Sequence, residues 1–254
     1  MRDETVLLID IGNTNLKWSL MKNGHIAPIS SQSHKTISPE ALAQSCWGTI
    51  ETPDRTYMAN VAGEVLGEGL SKWMWATWTQ SPTILLAMHK KLGVTNGYRD
   101  PAQLGVDRWL TLLAVRANEV GPVCIVDCGT ALTIDLMTDE GIHHGGMILP
   151  GLNLMRDSLL RDTKIPRVAG VEIESMFAHD TAAAVASAAL HASAALIERA
   201  MLEAQSNHIG TPKLILTGSD AGAIASLLRM PYEIDSGLVM KGLALFAASE
   251  GQAE

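Results

Sequence analysis

Three short stretches carry residue types that could do chemistry. Asp10 and Asp127 are each followed two positions later by a glycine, in runs of one design: VLLIDIGNTNLKWSLM over 6–21 and VCIVDCGTALTIDLM over 123–137. A glycine lets the backbone approach a ligand closely, and the amides and hydroxyls of Asn13, Thr14 and Thr130 can donate to phosphate oxygens. A carboxylate at the mouth of such a turn can hold a metal ion or its water shell. The third stretch, GYRDPAQLGVDRWL over 97–110, sets Asp107 beside Arg108. A carboxylate there can accept a proton, and the neighbouring guanidinium can take a carboxylate through two parallel hydrogen bonds. The chemistry these types point to is the binding of a polyphosphate and transfer to a small acid.

A single Asp-x-Gly turn between strands is a common hairpin and says little. The duplication says more. A constant shift of 117 positions brings Asp10 onto Asp127, Gly12 onto Gly129, Asn13 onto Thr130, Leu20 onto Met137 and Gly24 onto Gly141. Each copy reads as strand, tight turn, strand, so two hairpins facing each other would grip one polyphosphate from both sides.

Other elements must position these loops. Ser38-Pro39-Glu40 opens a helix, with Ser as N-cap and Pro in the first turn. A strand is expected at Thr56–Val61, a helix over Glu64–Ala76 and a short strand over Thr83–Ala87. Leu110, Leu113, Ala114 and Ala117 form a helical stripe whose first turn spans Gly105 to Asp107, where the helix dipole stabilises negative charge. GIHHGGMILPG closes the second hairpin, and adjacent His143 and His144 would point to opposite faces of a strand, which spoils them as a metal pair. A helix over Leu152–Leu160, ending by Pro166, precedes the alanine-rich helix that Asp180-Thr181 opens. LILTGSDAGAIASLL gives strand, glycine turn and a helix whose N-terminus could meet a nucleoside or phosphate. A last helix spans Leu238–Ala247. Trp73, Trp75 and Trp78 are expected to pack a lobe or meet a partner chain.

With 254 residues and 47% hydrophobic content the chain can bury a large core, and the duplication predicts two lobes, 1–118 and 119–254. The formal charge of −8 argues against a nucleic-acid surface. Met1-Arg2-Asp3-Glu4 leads directly into a strand without a signal-peptide pattern, and no apolar run looks long enough for a bilayer, so a cytoplasmic enzyme without membrane contact is expected. Cys46, Cys124 and Cys128 make an odd number without a paired His and are expected as buried free thiols.

These features resemble the actin-like and sugar-kinase superfamily of two-lobed ATP-binding proteins, and within it the type III pantothenate kinases. The resemblance rests on DIGNTNLKW (Asp10 to Trp18), YRDPAQLGVDRW (Tyr98 to Trp109), VDCGTALTID (Val126 to Asp135), GGMILPG (Gly145 to Gly151) and Asp180-Thr181, in the family's order over most of the chain. It implies an α/β fold of two duplicated actin-like (ribonuclease H-like) domains, with mixed sheets and flanking helices. It also implies ATP-dependent phosphorylation of pantothenate, the first step of coenzyme A synthesis.

Carried over by motif, the loop Asp10, Ile11, Gly12, Asn13, Thr14, Asn15, Leu16 and Lys17 binds ATP together with Thr130. Asp127 binds a monovalent cation, potassium or ammonium. Tyr98, Gly105, Val106, Asp107 and Arg108 hold pantothenate, with Asp107 as proton acceptor. Thr181 is implied as a pantothenate contact near a subunit interface, hence a homodimer, and Mg²⁺ accompanies the ATP. Two positions depart from the family pattern: Ser219 stands where a second glycine follows Gly218, and Ala188-Ala189 where relatives often carry glycine. Rival readings are a superfamily kinase for another hydroxylated acid or sugar, and a non-catalytic ATP-binding regulator. The latter has no need of the Asp107-Arg108 pair.

Overall fold

The apolar run that opens the chain becomes β1 (Thr5–Ile11), and the run beyond the glycine turn becomes β2 (Asn15–Lys22). The structure, a computed structural model, describes residues 4–165, 175–206 and 209–250. β1 and β2 pair antiparallel, with Asp10 opposite Lys17 and Ile11 opposite Leu16. Two short strands, β3 (His25–Ile26) and β4 (Ser30–Ser33), both pair with β2. Ser38 then caps α1 (Pro39–Trp47), its hydroxyl accepting the Ala41 N–H at 3.2 Å, with proline opening the helix as its fixed φ favours. β5 (Arg55–Asn60) lies parallel to β1, α2 (Glu64–Trp78) follows, and β6 (Thr83–Ile84) pairs parallel to β5. The minor hairpin of β7 (Lys90–Lys91) and β8 (Val94–Thr95) leads to α3 (Val106–Arg116).

The pattern then repeats. β9 (Val123–Cys128), β10 (Ala131–Met137) and β11 (His143–Pro150) form an antiparallel meander. α4 (Leu152–Asp162) and α5 (Thr181–Ser206) come next, then β12 (Lys213–Thr217), α6 (Ala221–Ala225), β13 (Glu233–Ile234) and α7 (Leu238–Glu250). The first sheet is ordered β3-β2-β1-β5-β6 and the second β11-β10-β9-β12-β13. In each, the strand bearing the key aspartate sits at the centre, between its hairpin partner and a parallel strand that follows a helical crossover. The first core packs Leu7, Ile9 and Ile11 against Leu42, Trp47, Leu70 and Met74. The second packs Val126, Leu132 and Ile134 against Ala194, Ile197, Met201 and Leu216.

Five expectations need correction. The ungapped shift of 117 holds for the strands carrying the aspartates and for β4 against β11, where Ser31 matches Ile148, but Lys17 matches Thr133, a shift of 116. The first turn spans residues 12–15 and the second only 129–131, so Asn13 is an additional residue and Thr14, not Asn13, is the counterpart of Thr130. Leu20 therefore matches Leu136 rather than Met137. A longer second turn restores the shift at Gly24 and Gly141, both at positive φ.

The lobe boundary 119–254 also changes. Contacts group Met1–Asn118 with Gly237–Glu254, and Glu119–Ser236 as a second unit, because α7 lies along α3 and β1. There a side chain on Gly242 would collide with the Leu110 carbonyl. α5 is long and apolar enough, by length and composition, to cross a membrane. Alanine counts as apolar while adding little bulk, and the buried Ala194, Ile197 and Met201 of α5 pack against the second sheet. Finally, β6 stops at Ile84 rather than Ala87, and α6 has only 5 residues. The expected stop at Pro166 lies outside the described residues.

Several side chains settle as core. Trp73 packs 6.2 Å from Trp47 and 5.1 Å from Trp78, edge to face with the latter, while Trp75 is exposed. Cys46, Cys124 and Cys128 are free and buried. His143 is buried with Nε2 2.8 Å from Asp135 Oδ1, and His144 faces outward, as alternation along a strand requires.

Candidate active site

The first loop is closed by its own hairpin: the Gly12 N–H donates to the Asn15 carbonyl at 3.0 Å. Asp10, 8% exposed, stands near the end of β1 opposite Lys17, a carboxylate on an otherwise apolar, buried strand. Ile11 and Leu16 have fully buried side chains, so these two of the expected ATP ligands can offer only backbone groups. Asn13 and Asn15 are exposed, with Gly12 and Thr14 half-buried between them. On one side the end of β5 supports the loop, the Val61 N–H donating to the Ile11 carbonyl at 3.0 Å. Asn60 stiffens that bend by accepting from the Ala62 N–H and donating to the Gly63 carbonyl, each at 2.9 Å. On the other side comes His34, which sequence reasoning missed. Its amide and the Ser33 hydroxyl both donate to the Thr14 carbonyl at 3.3 Å, and its ring Nε2 lies 2.7 Å from the Gly12 carbonyl oxygen.

The acceptor residues gather at the start of α3. Gly105 is its N-cap and Asp107 lies in its first turn, where Oδ1 accepts the Arg108 N–H at 2.8 Å. A Cβ on Gly105 would stand 2.6 Å from that oxygen, so a side chain there would push the carboxylate aside. Arg108 is 5% exposed; its Nη1 donates to the Tyr98 hydroxyl at 2.8 Å, and its guanidinium carbon is 5.5 Å from the Tyr98 ring centroid. Asn96 sets the Tyr98 backbone by accepting its N–H at 3.0 Å. The structure gathers Tyr98, Gly105, Asp107 and Arg108 at the start of α3, while the Val106 side chain is core.

In the second unit the Gly129 N–H donates to the Ala131 carbonyl at 3.1 Å, and Thr130 is exposed at the tip. Gly218, at φ +91°, crosses so close that a Cβ would be 2.5 Å from Asp127 Oδ1. This is a close approach that only glycine allows. The Asp220 N–H donates to the Cys128 carbonyl at 2.9 Å, pinning the β12 turn to the β9 turn. Burial pushes the Asp220 carboxyl up, opposed by a hydrogen bond from Ser219. Burial also drives the Cys128 thiol up to about 12, with the negative charges of Asp127 and Asp220 adding to it. Thr181 is exposed at the first position of α5, after Asp180, whose carboxylate accepts the Ala183 N–H at 2.9 Å. Among the described residues no group of three or more His, Cys, Asp or Glu side chains is placed to hold a metal. The candidate donors are the single carboxylates Asp10 and Asp127, which suit a hard cation that keeps waters and phosphate oxygens as its other ligands.

A family model described as type III pantothenate kinase matches residues 6–203. A type III pantothenate kinase of Nitrosococcus oceani is 36% identical over 248 residues, covering 95% of this chain and 93% of the relative. One from Burkholderia thailandensis is 34% identical over 259 residues, covering 96% and 98%. Among solved structures, a conserved putative Baf family transcriptional activator from Campylobacter jejuni aligns with TM-score 0.61 at 20% identity over 97% of this chain and 99% of that one. A putative 2-dehydro-3-deoxygalactonokinase from Sinorhizobium meliloti aligns with TM-score 0.57 at 14% identity over 96% of each. These likenesses establish the fold, the duplicated α/β architecture of actin-like ATPases and sugar kinases.

Proposed function

The chain belongs to the type III pantothenate kinases, and from that premise we propose how its residues transfer the γ-phosphoryl group of ATP to pantothenate, giving 4'-phosphopantothenate for coenzyme A synthesis. The observation that carries the assignment of roles is the cluster of Asp107, Arg108 and Tyr98 on and before the first turn of α3, in a family whose reaction needs a hydroxyl positioned and a carboxylate held. The primary hydroxyl oxygen of pantothenate forms the new bond to the γ-phosphorus while the bond to the bridging oxygen of ADP breaks. Asp107 orients that hydroxyl and takes its proton late, since a loose transition state asks for positioning and charge neutralisation more than for a strong base. Arg108, steered by Tyr98, binds the pantothenate carboxylate, and Gly105 and Val106 contribute backbone groups.

The loop from Asp10 to Lys17 and Thr130 bind ATP, which carries Mg²⁺; bound there, the ion neutralises charge on the phosphates. Asp127 holds a potassium or ammonium ion. The active form is a homodimer with Thr181 at the pantothenate site near the interface. Ile148 on β11 and Leu154 and Leu159 on α4 are exposed apolar side chains that support an association of this kind. The enzyme works in the cytoplasm, without nucleic acid or membrane.

An acceptor panel with ATP, Mg²⁺ and potassium tests the reading. Pantothenate should exceed other hydroxy acids and sugars in kcat/KM by about a hundredfold or more, as expected of a site built to pair a substrate's polar groups. A sugar turned over better than pantothenate would move the chain to another kinase specificity, and ATP binding without turnover of any acceptor would make it a regulator.

A further inference from the structure

We infer that His34 is a positioning residue of the ATP loop, its imidazole fixing the Gly12–Asn13 peptide so that the Asn13 amide is presented to a phosphate oxygen. The inference rests on the assignment of the Asp10–Lys17 loop to ATP.

His34 and Gly151 stand 117 positions apart, each directly after the strand that flanks its hairpin, Ser33 ending β4 and Pro150 ending β11. Each donates its amide to the same loop carbonyl, His34 to Thr14 at 3.3 Å and Gly151 to Thr130 at 3.0 Å. They are one position in two copies. In the second copy it must be glycine, because a Cβ there would collide with the Gly129 carbonyl and stand 2.7 Å from the Thr130 carbonyl. In the first copy the turn carries one residue more, Asn13, and a histidine fits. Its ring reaches the Gly12 carbonyl, the counterpart of the Gly129 carbonyl that Gly151 crowds.

A carbonyl oxygen only accepts, so at 2.7 Å the His34 Nε2 carries the proton and donates it. The peptide that follows is planar and trans, which points its C=O and the next N–H in opposite directions. Anchoring the Gly12 oxygen on His34 therefore aims the Asn13 N–H away from His34. The preceding glycine would otherwise let this plane swing widely, and the added residue makes this turn the looser of the two. With Ser33 and the His34 amide holding the Thr14 carbonyl as well, β4 clamps both ends of the exposed tip at Asn13. The second loop is packed closely by the Gly151 backbone; the first adds a side-chain contact, from His34, to its backbone hydrogen bonds.

The test is steady-state kinetics on the whole protein with His34→Ala, His34→Gln and Thr14→Val, each checked for an unchanged thermal midpoint. His34→Ala should raise the KM for ATP about three- to tenfold, the range expected for one neutral hydrogen bond. kcat and the KM for pantothenate should stay within about twofold. His34→Gln, whose amide nitrogen reaches the place of Nε2, should bring the KM for ATP back to within about twofold of wild type. If Thr14→Val weakens ATP but His34→Ala does not, or if Gln is no better than Ala, the inference is overturned while the loop assignment stands. If neither Thr14→Val nor His34→Ala affects ATP, the loop assignment itself fails and the inference falls with it. A His34→Ala that melts earlier and weakens both substrates alike makes the histidine merely structural, which also overturns it.

Discussion

At the scale of single residues, Asp107 and Arg108 are neighbours with separable duties, and kinetics should separate them. Asp107→Asn keeps the acceptor for the Arg108 N–H and the shape of the helix start, so both Michaelis constants should hold while kcat falls about a hundredfold or more. A near-normal rate would remove Asp107 from the mechanism. Arg108→Lys keeps the charge but loses the planar fork, and should raise the KM for pantothenate about tenfold with that for ATP unmoved. Equal rises in both would end the carboxylate assignment. The three thiols make a different prediction. Burial lifts the Cys46 thiol to about 11 and those of Cys124 and Cys128 to about 12, from the 9.0 of a free thiol. The folded chain therefore keeps protons that the unfolded chain gives up, so the stability they contribute is complete below about pH 9 and drains away as pH rises towards 12. Urea midpoints at pH 8 and pH 10.5 should fall less for Cys124→Ala than for the wild type; an identical fall would refute the link. Residue types and motif spacing made Asp107, Arg108 and Tyr98 legible in the sequence. His34 was not, because its role depends on a ring meeting a carbonyl 22 positions away, and no local pattern announces that.

At the scale of elements, the hairpins and most helices follow from signals that act over a few residues: Ser38 before Pro39, the glycine turns, the alternation that separates His143 from His144. What escaped was register and partnership. An ungapped comparison of the two copies hides that one turn is shorter and a later one longer, since the two changes cancel by Gly141. Likewise nothing within Leu238–Glu250 says that this helix returns to the first unit, because the reason is a meeting with α3, whose sequence lies far away. That meeting makes a prediction. Gly242→Ala puts a methyl group against the Leu110 carbonyl, on the helix whose first turn carries Asp107. Overpacking of this kind costs about 1–3 kcal/mol, so the mutant should unfold at lower denaturant and lose kcat with it. A mutant as stable as wild type would show that the two helices can part without cost.

At the scale of the whole molecule, the chain carries a formal charge of −8 and is built from two copies of one hairpin-and-crossover plan. The exposed apolar side chains on β11 and α4 call for a partner, and a second copy of the chain is the proposed one. Sedimentation should give a mass near twice 27.2 kDa, and Ile148→Glu should shift it towards that of one chain. A wild-type protein running as a monomer would remove Thr181 from any shared site. Purified protein incubated with ATP, Mg²⁺, potassium and pantothenate should convert pantothenate, read by mass spectrometry, to a product carrying one phosphoryl group on its primary hydroxyl, one for each ATP consumed. ATP consumed while pantothenate stays unmodified, or no consumption of ATP in its presence, would contradict the account.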